Sequence, residues 1–169
     1  MICCCLAFAA AAAAAAAPTA KFSSKEYGYT VNLPGSASGW SPSYAFVVWA
    51  TDSVEPGSPA FDTFLEDSTG RRFVVAARQP PGGATLTKWT TFVATTLCTK
   101  PKSFTNSTLS GATARVFTWK CPDGNAIGVT ALHGSRGYFM WVLSPPGLSN
   151  ASNANEFNTA RQSFRFVSG

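Results

Sequence analysis

The stretch GATARVFTWKCPDGNAIGVTALHGSRGYFMWVLS, residues 111–144, decides the architecture. It contains three runs rich in β-branched and aromatic residues, parted by two short breaks. Residues 111–121 read as a strand. PDGN then brings Pro, Asp and Gly into the company a tight turn favours. AIGVTALH (126–133) reads as a second strand, GSRG as a second turn, and YFMWVLS (138–144) as a third strand. The three make an antiparallel meander. From Tyr138 to Leu143 every position is apolar, which predicts a strand covered on both faces.

The second turn follows His133, the only histidine in the chain. For Ser135 to act as a nucleophile, a base must lie within hydrogen-bond reach and a third group must orient that base. A Gly-x-Ser-x-Gly elbow also needs strand–turn–helix context, whereas this segment is strand–turn–strand with the spacing Gly-Ser-Arg-Gly. The segment therefore reads as a hairpin end with an imidazole at its rim, its two glycines serving a tight turn. A binding role for His133 with Arg136 is the functional reading that remains.

Working toward the amino terminus, ATLTKWTTFVATTLCTK changes period. Leu86, Trp89, Val93 and Leu97 fall at steps of three, four and four, the stripe of an amphipathic helix. Thr85 or Thr87 caps its start. Its threonines are poor helix formers, so packing must hold it, and Pro101 stops it. FDTFLEDSTGRRFVVAARQ (61–79) reads as a hairpin around DSTG, and YAFVVWAT (44–51) as a buried strand. In KFSSKEYGYTVNLP, the alternation of Tyr27, Tyr29, Val31 and Leu33 predicts one half-buried strand. Trp40 lies in the following loop, where plugging one end of the core is the favoured reading and an exposed contact the alternative. Toward the carboxyl terminus, LSNASNANEFNTARQ starts loop-like. Phe157, Ala160 and Arg161 then suggest a short helix leading into a last strand, SFRFV (163–167).

The chain has 169 residues, 13 basic against 8 acidic, with 12% charged and 46% hydrophobic. That suits one domain with a substantial core. Lys and Arg form no run longer than Arg71-Arg72, which argues against nucleic-acid binding. Residues 1–20, MICCCLAFAAAAAAAAAPTA, are uncharged and nearly all apolar, and polar sequence begins at Lys21. They read as a signal peptide cleaved between Ala16 and Ala20, lacking only the usual basic residue near the start. An uncleaved anchor is the alternative. Residues 21–169 form the expected mature domain, with no membrane span of its own.

Cys3, Cys4 and Cys5 would leave with the leader. Cys98 and Cys121 remain, and in an exported domain two cysteines suggest one disulfide, with unlinked buried thiols as the competing reading. Such a bridge would close a loop of about 24 residues and contribute roughly 3–3.5 kcal/mol in the chain-entropy model. Other chemistry is weak. Asp62 and Glu66 share a strand face with no histidine partner, so no metal site is expected. With only 8 acidic residues, a carboxylate pair for glycoside hydrolysis is not expected. There is no Gly-x-Gly-x-x-Gly, and PPGG lacks the Lys-Ser or Lys-Thr of a phosphate loop. No cofactor is expected. The sequons at Asn106 and Asn150 matter only in a eukaryotic secretory pathway.

Two segments resemble a known family. YGYTVNLPGSASGW (27–40) is similar to the opening of PsbP-like domains, where an aromatic-rich strand runs into a Pro and then a Gly-Trp. EFNTARQSFRFV (156–167) resembles their close, a helix delivering Ser-Phe into a final strand. The order of elements between them also fits. The resemblance implies an α+β fold, an antiparallel β-sheet flanked by helices as an α/β/α sandwich. Members include photosystem II extrinsic proteins, Ran-binding nuclear relatives, and exported bacterial proteins and lipoproteins. As a group they are binding and assembly factors with no shared catalytic set. The leader is too short for a two-part chloroplast transit sequence, and the Cys98–Cys121 pair lies outside the family pattern.

The resulting expectation is an exported, non-enzymatic binding or assembly module at the cell envelope. It would meet a protein partner through a surface near Trp40, His133, Arg136 and Tyr138. A carrier of an apolar small molecule or lipid is the alternative, and a small hydrolase comes third.

Overall fold

The computed structural model describes residues 21–33, 40–42, 62–66, 69–97, 103–121, 124–148 and 150–167. The leader, the strand expected over 44–51 and Cys98 lie outside the described residues. The elements are β1 (Lys21–Ser24), β2 (Tyr29–Asn32), β3 (Trp40–Pro42), β4 (Asp62–Glu66), β5 (Arg72–Arg78), α1 (Leu86–Leu97), β6 (Thr105–Leu109), β7 (Ala112–Cys121), β8 (Gly124–His133), β9 (Arg136–Ser144), α2 (Asn150–Ser163) and β10 (Arg165–Phe166).

A seven-stranded sheet runs β3-β4-β5-β9-β8-β7-β6, antiparallel at each pairing. The hairpin expected around DSTG is β4–β5. The expected meander is β7–β8–β9, and it gains a fourth strand, β6. TNSTL gave no apolar signal because β6 lies at the sheet edge, where Thr105, Asn106 and Thr108 face solvent. Its turn to β7 places Ser110 at φ 49° and Gly111 at φ 84°, the two left-handed positions of a I′ hairpin.

The second turn corrects the sequence reading. Only Gly134 and Ser135 form it, with His133 opposite Arg136 and Gly134 at φ 58°. Gly137 belongs to β9 and is glycine for another reason. A Cβ there would meet the Trp89 indole at 2.5 Å.

KFSSKEYGYTVNLP is a hairpin rather than one strand. β1 and β2 pair across a turn in which Gly28, at φ 67°, donates from its backbone N–H to the Ser24 carbonyl at 3.0 Å. β10 adds to the other side of β2, giving a small three-stranded sheet where a single sheet was expected.

Side-chain alternation sorts the layers. Thr130 and Asn125 on β8 are an odd number of residues apart and face opposite ways. Thr130 Oγ1 lies 2.7 Å from Thr90 Oγ1 of α1, while Ser144 Oγ, on the β9 residue paired with Asn125 and so on its face, accepts from Asn153 Nδ2 of α2 at 2.8 Å. The helices thus cover opposite faces of the large sheet. The small sheet joins α2 on its side, where Tyr29 stacks on Phe164 at 5.2 Å. Both faces of β9 are buried as expected: Gly137 and Phe139 toward α1, Tyr138, Met140 and Val142 toward α2.

α1 follows its stripe. Trp89 and Val93 are fully buried, and Trp89 Nε1 donates to the Tyr138 carbonyl at 2.9 Å. Thr85 is the cap, accepting from the Lys88 N–H at 3.3 Å. Thr90 and Thr95 turn their hydroxyls back onto the Leu86 and Thr91 carbonyls, which satisfies them inside the helix. α2 starts at Asn150, well before the expected helix. Its polar first half is held by Asn153, which is fully buried and also donates to the Asn125 carbonyl at 3.2 Å. Arg71 adds a nearly buried ion pair to Glu156 at 3.3 Å, tying the start of β5 to α2.

Candidate binding surface

The β8–β9 turn, the β1–β2 turn and β10 meet at one end of the sandwich. Phe166 is the hub. The exposed His133 imidazole lies flat on its ring, centroids 4.0 Å apart and planes 5° apart. Tyr138 meets Phe166 edge-on at 4.7 Å, and Phe164 does so at 5.3 Å. β10 is held there by Val167, whose N–H donates to the Gly28 carbonyl at 3.0 Å. Tyr138 is 4% exposed, so it supports this surface from beneath. Burial pushes the Tyr138 phenol above its ordinary pKa, against the opposing charge and hydrogen bond of Arg136.

Arg136 is exposed but anchored, its Nη1 donating to the Glu26 carbonyl at 2.9 Å. Beside it lies an open depression of about 340 Å³ lined by Glu26, Tyr27, Arg78, Gln79, Ser135 and Arg136. The Arg78 guanidinium sits 5.2 Å from the centre of the Phe92 ring, and burial lowers its pKa.

The fold therefore brings together His133, Arg136 and Tyr138 from the sequence-derived set. It leaves Trp40 elsewhere, at the start of β3 rather than in the expected loop, because Trp40–Pro42 pair with β4. Trp40 pairs with Glu66, Leu65 with Arg72, and Arg72 with Leu143, near the far end of β9 from Arg136. At about 3.4 Å per residue, that separates the two positions by roughly 24 Å along the strands alone. Cys121 closes β7 opposite Gly124, and its proposed partner Cys98 lies outside the described residues. Phe166, Arg78 and Glu26 were missed in the sequence. Each reaches this end from a different element, so only the topology unites them.

No hydrogen bond joins Ser135 to His133, whose ring rests on Phe166 instead. Among the described residues, no group of three metal-ligating side chains converges, and no helix is long and apolar enough to cross a membrane.

No protein-family model and no curated protein matches this chain. Among solved structures, the solution structure of cyanobacterial PsbP (CyanoP) from Synechocystis aligns over 94% of this chain and 98% of that one, with a TM-score of 0.58 at 13% identity. The fold is PsbP-like. The two PsbP-like segments of the sequence are neighbours in it. YGYTVN carries β2 and EFNTARQSFRF carries the end of α2 with β10, and they pair through Arg165 with Thr30 and Phe166 with Tyr29. The likeness at this identity concerns architecture alone.

Proposed function

We propose that this chain is a non-enzymatic binding or assembly module, exported by cleavage of residues 1–20, that docks a protein partner at the cell envelope. The observation that carries this reading is the state of the two recognition groups at the β8–β9 end. His133 and Arg136 are exposed yet fixed, one stacked on Phe166 and the other bonded to the Glu26 carbonyl. Groups already held in place lose little freedom on binding, so more of their contact energy becomes affinity. Arg136 and Arg78 suit an acidic partner surface, and the chain's net charge of +5 favours its approach. The PsbP-like fold adds support, since such proteins serve as binding and assembly factors.

A carrier of an apolar molecule would need an apolar cavity. The Arg136 depression is lined largely by polar and charged side chains, which favours docking over carriage. The hydrolase reading is disfavoured because, among the described residues, the His133 ring stacks on Phe166 and makes no hydrogen bond to Ser135. In this reading Cys98 and Cys121 form a disulfide that stabilises the exported domain. Trp40, on β3, is proposed as a separate contact at the far end.

The test is capture of the partner from native envelope by chemical cross-linking, comparing the native chain with His133→Ala and Arg136→Gln. A captured protein lost in both variants supports the reading. Capture unchanged by either variant, or hydrolytic activity that disappears in His133→Ala, would overturn it.

A further inference from the structure

We propose that a second depression, between the end of α2 and the β6–β7 turn, binds the phosphate group of a phosphomonoester. This site is independent of the docking end argued above. Its volume is about 530 Å³, and its lining is Thr108, Ser110, Gly111, Arg161, Gln162 and Arg165. Ligand sites commonly span about 300–1,000 Å³.

The two arginines are the core of the argument. Arg161 Nη1 donates to Ser107 Oγ at 2.8 Å and to the Thr108 carbonyl at 3.3 Å. Arg165 Nη1 donates to the Gln162 and Phe164 carbonyls, each at 2.7 Å. Those bonds fix both guanidiniums: Arg161 is tied to β6, while Arg165 caps the Gln162 carbonyl in the last turn of α2, which offsets the negative end of the helix. They engage Nη1 and leave Nη2 of each for a ligand. Neither arginine has a carboxylate partner among the described residues. Ser110 Oγ accepts from the Phe166 N–H at 3.4 Å, so its own O–H remains to donate. The turn holds Ser110 in place at φ 49°.

Among the described residues the lining thus offers donors from two guanidinium forks, two hydroxyls and a carboxamide, with no carboxylate. That set matches a tetrahedral oxyanion, for which arginine's planar fork is well shaped. Among the described residues no aromatic ring lines the depression to stack on a base, which favours phosphate on a small polar carrier over a nucleotide.

Amide NMR of the purified chain tests this by titration with inorganic phosphate, glycerol 3-phosphate, and vesicles of phosphatidate against phosphatidylcholine, with chloride matching ionic strength. The Ser110 and Gly111 amides should shift and saturate with a phosphate probe but not with chloride. Arg165→Gln should weaken binding by about tenfold or more, since it removes a charge-assisted pair. Arg165 is exposed, and a thermal melt reports whether the variant folds; Ser110→Ala, which should also weaken binding, is the second variant. Stronger binding of glycerol 3-phosphate identifies a soluble ester, and stronger retention on phosphatidate a lipid headgroup; either supports the site. No saturable shift with any phosphate probe would overturn it. So would native-like binding in both folded variants, or loss of binding in Arg136→Gln, which belongs to the docking end.

Discussion

At Gly137 the sheet leaves no space for a methyl group, because the Trp89 indole lies where its Cβ would be. Gly137→Ala should lower unfolding free energy by about 1–3 kcal/mol, the usual cost of overpacking. Urea denaturation would measure it, and an unchanged midpoint would contradict the packing described. The sequence identified this residue as glycine of a turn; its actual constraint is tertiary and comes from a helix far away in the chain. Tyr138 carries a pH effect. Burial raises its pKa in the folded chain, although Arg136 pulls the other way. The unfolded chain ionises there near pH 10. The stability contributed by the neutral phenol is therefore complete below about pH 10 and is lost as pH rises through the folded pKa. Tyr138→Phe keeps the ring contacts and should flatten the alkaline fall in melting temperature. Identical alkaline limbs for the two proteins would argue against a buried phenol.

Among the elements, legibility followed solvent exposure. α1 was legible because Leu86, Trp89, Val93 and Leu97 mark one face with a helical period, and β7, β8 and β9 because their runs are apolar between strong turns. β6 was not, since an edge strand of Thr, Asn and Ser needs no apolar side. The first half of α2 was hidden for a related reason: Asn153 secures it through hydrogen bonds rather than apolar contact. β1 was masked by the alternation that continues through Tyr27 into β2. Two elements give direct tests. Thr85→Ala should cost about 1 kcal/mol, the usual value of an N-cap, read by thermal melting of the helical signal. Phe166→Ala removes the ring that His133, Tyr138 and Phe164 share and should cost about 2–4 kcal/mol. Its distinguishing effect is local: the Val167 amide, bonded to Gly28, should exchange far faster than those of β9. Uniform acceleration across the molecule would contradict a separately docked β10.

For the whole molecule, the PsbP-like fold was legible from its two ends, and the structure explains why they matter together. The opening and closing segments pair as β2 and β10 and close the small sheet over α2's side of the large one. The candidate surface was half legible. His133 and Arg136 stand close in sequence at a hairpin end, whereas Phe166 and Glu26 reach it only through the fold, and Trp40 belongs to the opposite end. The proposed Cys98–Cys121 bridge has its own check, since intact mass should rise by two hydrogens on reduction; two alkylatable thiols in the unreduced exported protein would exclude it. The docking claim is tested most directly by a photo-cross-linking side chain placed at Ser135, in the turn beside Arg136, and separately at Thr118, exposed on β7. In native envelope, the Ser135 probe should yield a discrete protein adduct that Arg136→Gln abolishes, while the Thr118 probe yields none. Equal adducts from both positions, or none from Ser135, would contradict it.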